Sequence, residues 1–440
     1  MLFTHRIAFT LYGLVGRILV PLLLMRLWLR GRLEPLYRSH WRQRLGLYSK
    51  KNPLFSELRP KVWLHAVSLG ETRAAAPLIT ALRQLIPHLQ LVITHGTATG
   101  REAGKALLQE GDEQYWLPLD LLGATRRFFR HVRPHVGVLM ETEIWPALMN
   151  SAAGLNLPVF LANARLSEKS LRKGQRLSWL LRPAIGKLAA ALAQTSQDAA
   201  RLQQAGMVNV AVCGNLKFDM PVNSAQCELG KQWRSQISRL IVIAASTRET
   251  EEQELLVQWQ QHPWLQRNAL LVIVPRHPQR FQTVANMIQE NKVPWIRRSQ
   301  WKETLPPEAI HASIWLADSL GEMAVYYSLG QVALLGGSFA PLGGQNLIEA
   351  AACNCPVVMG PHTFNFLEAS VLAEQMGAAF RVESIHNALG LIASNYGLWR
   401  TSNQIQACQN FAKHQQGAAH RMAEIIALSF SSMPLLKNNF

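Results

Sequence analysis

KVWLHAVSLGETRAAAPLITALRQLIPHLQLVITHGT, residues 61–97, holds a short apolar run, a segment with helical spacing and a second apolar run. The first run, KVWLHAVS (61–68), and the last, QLVITHGT (90–97), have strand length and end in turn-forming residues. Between them, TRAAAPLITALRQLI repeats its apolar residues every three or four positions, which predicts an amphipathic helix. Strand, helix and strand in so short a span form a βαβ unit. Such a unit requires a parallel sheet with helices laid on its faces.

The same rhythm continues with HVGVLMET (135–142), LPVFLANA (157–164) and AALAQTS (190–196). It breaks over 213–238, a polar stretch with Gly214, Pro221 and Asn223 that reads as a linker. It resumes in RLIVIAAST (239–247), ALLVIVPRH (269–277), SIWLADS (313–319), VALLGGS (332–338) and CPVVMGP (355–361). The fold class is therefore α/β, with two doubly wound, Rossmann-like lobes expected around a cleft. The expected domains are an apolar N-terminal segment with the start of a basic collar (1–32), a first lobe (33–212), the linker (213–238) and a second lobe (239–440). The final helix is placed either with the second lobe or crossing back to the first. Ligands in such sheets bind beyond the carboxyl ends of the strands, so functional side chains are sought on the loops that follow them.

A length of 440 residues suits two cores, and 48% hydrophobic against 17% charged residues leaves little scope for long disordered tracts. Lys plus Arg number 45 against 28 acidic residues, a formal charge of +17 that favours anionic partners. Five scattered cysteines (213, 227, 353, 355 and 408) match neither a disulfide framework nor a paired zinc spacing, as in a reduced, cytosolic protein. From Ile7 to Leu24 the chain is apolar apart from Thr10 and Arg17, and a bilayer span needs about 20 such residues. Arg26, Arg30, Arg32, Arg38, Arg42 and Arg44 follow, a density that holds the next segment on the cytoplasmic side. No small-residue cleavage site follows the apolar run, so the segment is expected to be an uncleaved anchor.

Strand ends carry the candidate chemistry. Glu71 follows VSLG and opens a helix, where the helix dipole favours its ionised form, the form a general base needs. Its competing reading is a helix cap. Glu141 and Glu143 lie in METEIW, ANARLSEKS (162–170) follows another strand, and GNLKFD (214–219) supplies Lys217. A metal site at Glu141 and Glu143 is discounted, since no further carboxylates and histidines complete a hard-metal shell. In the second lobe, LLGGSFAPLGGQNLIEAAACNCPVVMGPHTFNF (334–366) pairs Gly-rich turns with a helix start, an anion cradle with Asn346 as N-cap and Glu349 placed for ribose hydroxyls. Arg276 in VPRHPQRF suits phosphate, with a surface ion pair as its competing reading. DSLGEM presents Gly321 and Glu322 to a base.

In chain order, HAVSLGET, METEIWP, ANARLS, GNLKFD, VPRHPQRF, GEM and the 334–366 stretch, with the basic apolar N-terminus, resemble the 3-deoxy-D-manno-octulosonic acid (Kdo) transferases of Gram-negative lipopolysaccharide synthesis. The resemblance covers nearly the whole chain. It implies a GT-B glycosyltransferase that moves Kdo from CMP-Kdo to the tetraacylated lipid A precursor, lipid IVA, with no metal or other cofactor. It also implies work at the cytoplasmic face of the inner membrane, in contact with anionic lipids. It further implies Glu71 as proton acceptor and Glu141 and Lys217 as transition-state stabilisers. Pro275, Arg276, Leu320, Gly321, Glu322, Asn346, Leu347, Ile348 and Glu349 are then contacts to CMP. Family members vary in FAPLGG and often carry Pro where Ile348 stands here. Alternatives are a GT-B transferase or epimerase using a UDP-sugar, and a membrane-tethered polyanion-binding protein. Nucleic acid is not expected as a partner, because the basic residues cluster beside the apolar segment and no basic-aromatic recognition module is evident.

Overall fold

The computed structural model describes residues 2–49 and 59–431. It forms two compact units, residues 1–220 with 416–440 and residues 221–415. The first holds seven parallel strands, β1 (Lys61–His65), β2 (Gln90–His95), β3 (Glu113–Trp116), β4 (Val136–Met140), β5 (Val159–Ala164), β6 (Ala190–Ala193) and β7 (Val210–Val212). Their order in the sheet is β3-β2-β1-β4-β5-β6-β7. Every residue of β2, β4 and β5 is buried, as expected of strands covered on both faces. One face packs Leu64, Ile93 and Val138 against Leu78 and Leu82; the other packs Trp63 and Leu139 against Phe128 and Phe129.

The second unit repeats the plan with β8 (Leu240–Thr247), β9 (Ala269–Pro275), β10 (Trp295–Arg297), β11 (Ile314–Leu316), β12 (Val332–Leu335), β13 (Val357–Met359) and β14 (Ala379–Arg381). Its order is β10-β11-β9-β8-β12-β13-β14, again all parallel. Here β10 lies outside β11 rather than beside β9.

The stretch expected to be a linker is mostly packed structure. Cys213 and Leu216 are buried in the first unit's core, and residues 224–235 form a helix of the second unit whose Trp233 is fully buried. The chain passes from the first unit to the second at Met220 and Pro221, and returns at Gln415 and Gln416. The helix Ala418–Ser431 belongs to the first unit, where Met422, Ile426 and Phe430 bury against the helix Leu69–Leu85. Full burial of such side chains contributes about 1.5–3 kcal/mol each. Asp219 fixes its start, with Oδ1 accepting from Gly417 N (2.6 Å) and Oδ2 from Ala419 N (2.5 Å).

The first helix runs Leu2–Arg30, and its Phe9–Arg30 part is long and apolar enough to cross a membrane, with none of it buried in the protein. Arg17 is exposed on it. The collar is not uniformly a surface charge. Arg44 is 8% exposed, donates to Gly96 O (2.9 Å) and Leu117 O (3.3 Å), and lies over the Trp116 ring at 4.2 Å. Burial pushes its guanidinium down to about 10.

Candidate active site

In the first unit the strand order reverses direction between β1 and β4, whose register pairs His65 with Leu139. The loops after these two strands therefore emerge side by side, and they carry Glu71 and Glu141. A parallel sheet places its ligand site at such a switch point.

Glu71 lies in the first turn of Leu69–Leu85, whose N-cap is Ser68. Its Oε1 accepts from Ser68 Oγ (2.8 Å) and its Oε2 from Val67 N (2.9 Å), while Glu71 N donates to Ser68 Oγ (3.3 Å). Ser68 thus caps the helix and the Glu71 carboxylate holds the turn before it, so the cap role is real. Each carboxylate oxygen still keeps a second lone pair. Burial raises the proton affinity of Glu71 and the nearby Glu141 adds to it, outweighing the hydrogen bonds from Val67 and Ser68. That direction is opposite to the one expected from the helix dipole, because desolvation dominates.

Glu141 is the first residue after β4 and adopts φ 58°, a left-handed conformation that costs a non-glycine residue energy. Its N–H donates to Ala162 O (2.9 Å), which holds the turn at the sheet end. Glu143 accepts from Trp145 Nε1 (2.9 Å), and burial, followed by the charge on Glu71, raises its carboxyl too. Three acidic groups thus share one strand-end region, and two of them, Glu71 and Glu143, hold protons more tightly than isolated carboxylates.

Lys217 is exposed on the turn Leu216–Phe218, which packs against the Glu71 helix. The turn is held by a residue that sequence reasoning quoted but gave no role. Asn163, fully buried with φ 52°, accepts from Leu216 N (3.0 Å) at Oδ1. Its carbonyl accepts from Gln194 Nε2 (2.9 Å), and Gln194 Oε1 accepts from Asn215 Nδ2 (3.0 Å).

In the second unit the switch point lies between β8 and β12, with β9 on the other side of β8. Arg276 follows β9, its N–H bonded to Thr247 O (3.0 Å), and its side chain is exposed without an ion pair among the described residues. The neighbouring arginine of the motif, Arg280, is the structural one. It pairs with fully buried Glu252 at 3.0 Å, which also accepts from Thr247 Oγ1 (3.1 Å). Pro275 ends β9 and is buried.

Leu320 and Gly321 (φ 80°) form an exposed turn tip, with Gly321 O accepting from Gln226 Nε2 (2.9 Å). Glu322, expected to present a carboxylate to a base, is engaged within the protein. Arg298 donates to it at 2.8 Å and Tyr326 Oη at 3.1 Å. Asn346 is the N-cap of Leu347–Ala352 and accepts from Ile348 N (3.0 Å). Leu347 and Ile348 are buried, while Glu349 lies half-buried in the first turn with its carboxyl raised by burial.

The Gly-rich loop before that helix is not an open anion cradle. Glu251, 3% exposed and absent from the sequence reading, fills it with its own carboxylate. Oε2 accepts from Gly337 N (2.8 Å) and Arg248 N (3.0 Å), and Oε1 from Phe339 N (3.2 Å) and Ala340 N (3.3 Å). Three of the loop's amides are thus taken by an internal carboxyl group, which fixes the loop's shape beside the helix start. No three His, Cys, Asp or Glu side chains group as metal ligands among the described residues.

Two sheets of this order, each with its polar groups at the switch point, define the GT-B class of sugar-handling proteins. Solved structures share the fold. A glycosyltransferase from Rickettsia africae aligns with TM-score 0.59 over 85% of this chain and 100% of that one, at 11% identity. A putative UDP-N-acetylglucosamine 2-epimerase from Listeria monocytogenes aligns with TM-score 0.56 over 86% of this chain and 98% of that one, at 13% identity. The family model described as 3-Deoxy-D-manno-octulosonic-acid transferase (kdotransferase) matches residues 39–220. A 3-deoxy-D-manno-octulosonic acid transferase of Bordetella pertussis is 42% identical, covering 86% of this chain and 89% of that one. One from Haemophilus influenzae is 34% identical, covering 84% and 86% respectively. The chain belongs to the Kdo transferase family and is a glycosyltransferase.

Proposed function

We propose that this protein transfers Kdo from CMP-Kdo to a lipid A precursor of the lipid IVA type, at the cytoplasmic face of the inner membrane. The observation that carries the reading is Glu71, a half-buried carboxylate beside the Glu141 loop with raised proton affinity. Raised affinity moves a carboxylate toward the working pH, where proton transfer is most effective.

An acceptor hydroxyl gives its proton to Glu71 as its oxygen attacks the anomeric carbon of Kdo. The bond from that carbon to the CMP phosphate oxygen breaks, and CMP departs with the electron pair. Glu141 and the Lys217 ammonium stabilise charge in the transition state. Pro275, exposed Arg276, the Leu320–Gly321 tip with Glu322 behind it, and the Asn346–Glu349 helix start hold CMP. In this reading Glu322 acts through the loop it braces with Arg298. The phosphate leaves already charged, so cationic and N–H groups serve without a divalent ion. The apolar helix and the basic residues after it hold the protein at anionic lipids.

The test supplies purified protein with tetraacylated lipid A precursor and either CMP-Kdo or UDP-sugars, with and without EDTA, and weighs the lipid product by mass spectrometry. Added Kdo from CMP-Kdo alone, undiminished by EDTA, is expected. Transfer from a UDP-sugar instead, or a strict divalent requirement, overturns the respective part.

A further inference from the structure

The first helix presents two faces of different use. Leu11, Leu14, Ile18, Leu22 and Met25 project outward, each more than half exposed. Tyr12, Val15, Gly16, Leu19 and Leu23 instead line one side of a solvent-open groove of about 370 Å³, with Val15 and Leu19 still 45% and 41% exposed. Its lining also includes Leu117, Leu119, Leu121 and Leu148, together with Glu143 and Val67. Val67 is the residue whose N–H donates to the Glu71 carboxylate. One largely apolar chamber therefore runs from a helix able to sit in a bilayer to Val67, in the turn that holds the candidate base.

The chamber is built rather than incidental. Tyr12 Oη donates to Asp120 (2.7 Å), and the same carboxylate accepts from Ala147 N (3.0 Å) and Leu148 N (2.7 Å). The helix is thereby pinned to the element that follows the METEIW loop. Lower down it approaches so closely that a Cβ on Gly16 would lie 2.9 Å from Leu121 Cδ2. The cationic wall residue, Arg44, already gives its N–H groups to backbone carbonyls. Burial pushes the other basic wall residue, His65, down to about 3, so it is neutral. What remains is a largely apolar lining in which Asp120 is already engaged and Glu143 is the other carboxylate, with a volume in the usual range for a bound small molecule.

The geometry points to this chamber as the site of one fatty acyl chain of the acceptor, drawn from the bilayer along the inner face of the first helix so that the attached sugar stops at Glu71. This rests on the reading of the acceptor as a lipid. It adds a subsite within the first unit, formed between the first helix and the Leu117–Leu121 segment.

Filling the chamber from either wall tests it. Leu19→Trp and Leu119→Trp should each raise KM for the acylated precursor about tenfold, with CMP-Kdo affinity and Tm near wild type. Leu22→Trp, on the outward face, should stay within about twofold. A precursor bearing a diazirine in an acyl chain should label peptides containing residues 12–23 and 117–121 of the full-length protein in nanodiscs, and both chamber variants should lose that labelling. Unchanged KM in both chamber variants overturns the assignment. So does labelling by a diazirine phospholipid that excess precursor does not displace. Wild type that fails to transfer Kdo to the precursor would sink the functional reading, while the labelling would still decide the chamber.

Discussion

Glu251 Oε2 accepts a 2.8 Å hydrogen bond from Gly337 N, 86 residues further along the chain. Together with Arg248, Phe339 and Ala340 it is surrounded by four backbone donors, and it sets the shape of the loop between β12 and the Asn346 helix. Removing it leaves the buried Gly337 N–H, which costs about 1–3 kcal/mol, and three partly buried N–H groups without an acceptor. Glu251→Ala should lower stability by roughly 2–4 kcal/mol in denaturant melts and raise KM for CMP-Kdo. Glu251→Gln keeps one acceptor oxygen and should fall between the two. A loop role is lost if Glu251→Ala melts like wild type.

Arg276 is free of ion pairs among the described residues, while Arg280 is tied to Glu252. The two arginines of one motif should therefore fail differently. Arg276→Ala should weaken CMP binding by about 1.5–3 kcal/mol, the scale of a hydrogen bond to a charged group, with Tm unchanged. Arg280→Ala should mainly destabilise, since it strands the buried Glu252 carboxylate. Calorimetry of CMP binding beside thermal melts separates them, and equal donor affinity for Arg276→Ala and wild type would remove Arg276 from the donor site.

Asp219 connects the turn bearing Lys217 to the start of the helix Ala418–Ser431. Loss of a helix cap costs about 0.5–2 kcal/mol. Asp219→Ala should lower stability by that amount and reduce kcat by loosening the Lys217 turn, whereas Asp219→Asn should recover part of both. Denaturant melts run beside steady-state kinetics make the comparison. Full activity in Asp219→Ala would separate the turn's placement from the cap.

The ten inner strands are legible in the sequence because they are buried on both faces and so are apolar almost throughout. The edge strands β3, β7, β10 and β14 are not. Glu113–Trp116 buries only Trp116, and Val210–Val212 and Trp295–Arg297 bury nothing fully, so neither alternation nor an apolar run marks them. With β10 unseen, its place outside β11 was equally out of reach. Glu71 as a residue opening its helix and Asn346 as the N-cap before Glu349 are legible in the sequence, since a helix start and its helix are neighbours in the chain. Glu251 and Asp219 are not, since their partners lie 86–89 and 198–200 residues away. The direction of Glu71's proton affinity also required three dimensions, because burial and Glu141 set it.

That proton affinity gives a pH dependence. Glu71 is raised from 4.5 by burial, then by Glu141, so the basic form is lost as pH falls through a value above 4.5. The acid limb of kcat against pH should lie above that of an ordinary carboxylate. Glu141→Gln removes a neighbouring negative charge, so the limb should move to lower pH even though the plateau falls with the loss of a transition-state stabiliser. A limb that stays in place in Glu141→Gln would show that the titrating group does not feel Glu141.

Glu71 serves as both cap and proposed base, and one substitution separates the roles. Glutamine keeps an oxygen to accept from Val67 N or Ser68 Oγ, so the helix start should survive Glu71→Gln with little change in Tm. It cannot take a proton. Positioned proton transfer contributes about 10²–10⁴-fold, and turnover should fall by that factor at saturating acceptor, with CMP-Kdo affinity near wild type. The acid limb should vanish with the carboxylate. Glu71→Ala should lose the turnover and also the cap, costing about a further 1 kcal/mol of stability. If Glu71→Gln turns over normally and keeps its acid limb, Glu71 is a cap alone. Glu141 and Glu143, the other carboxylates of the same strand-end region, then become the candidates for the base.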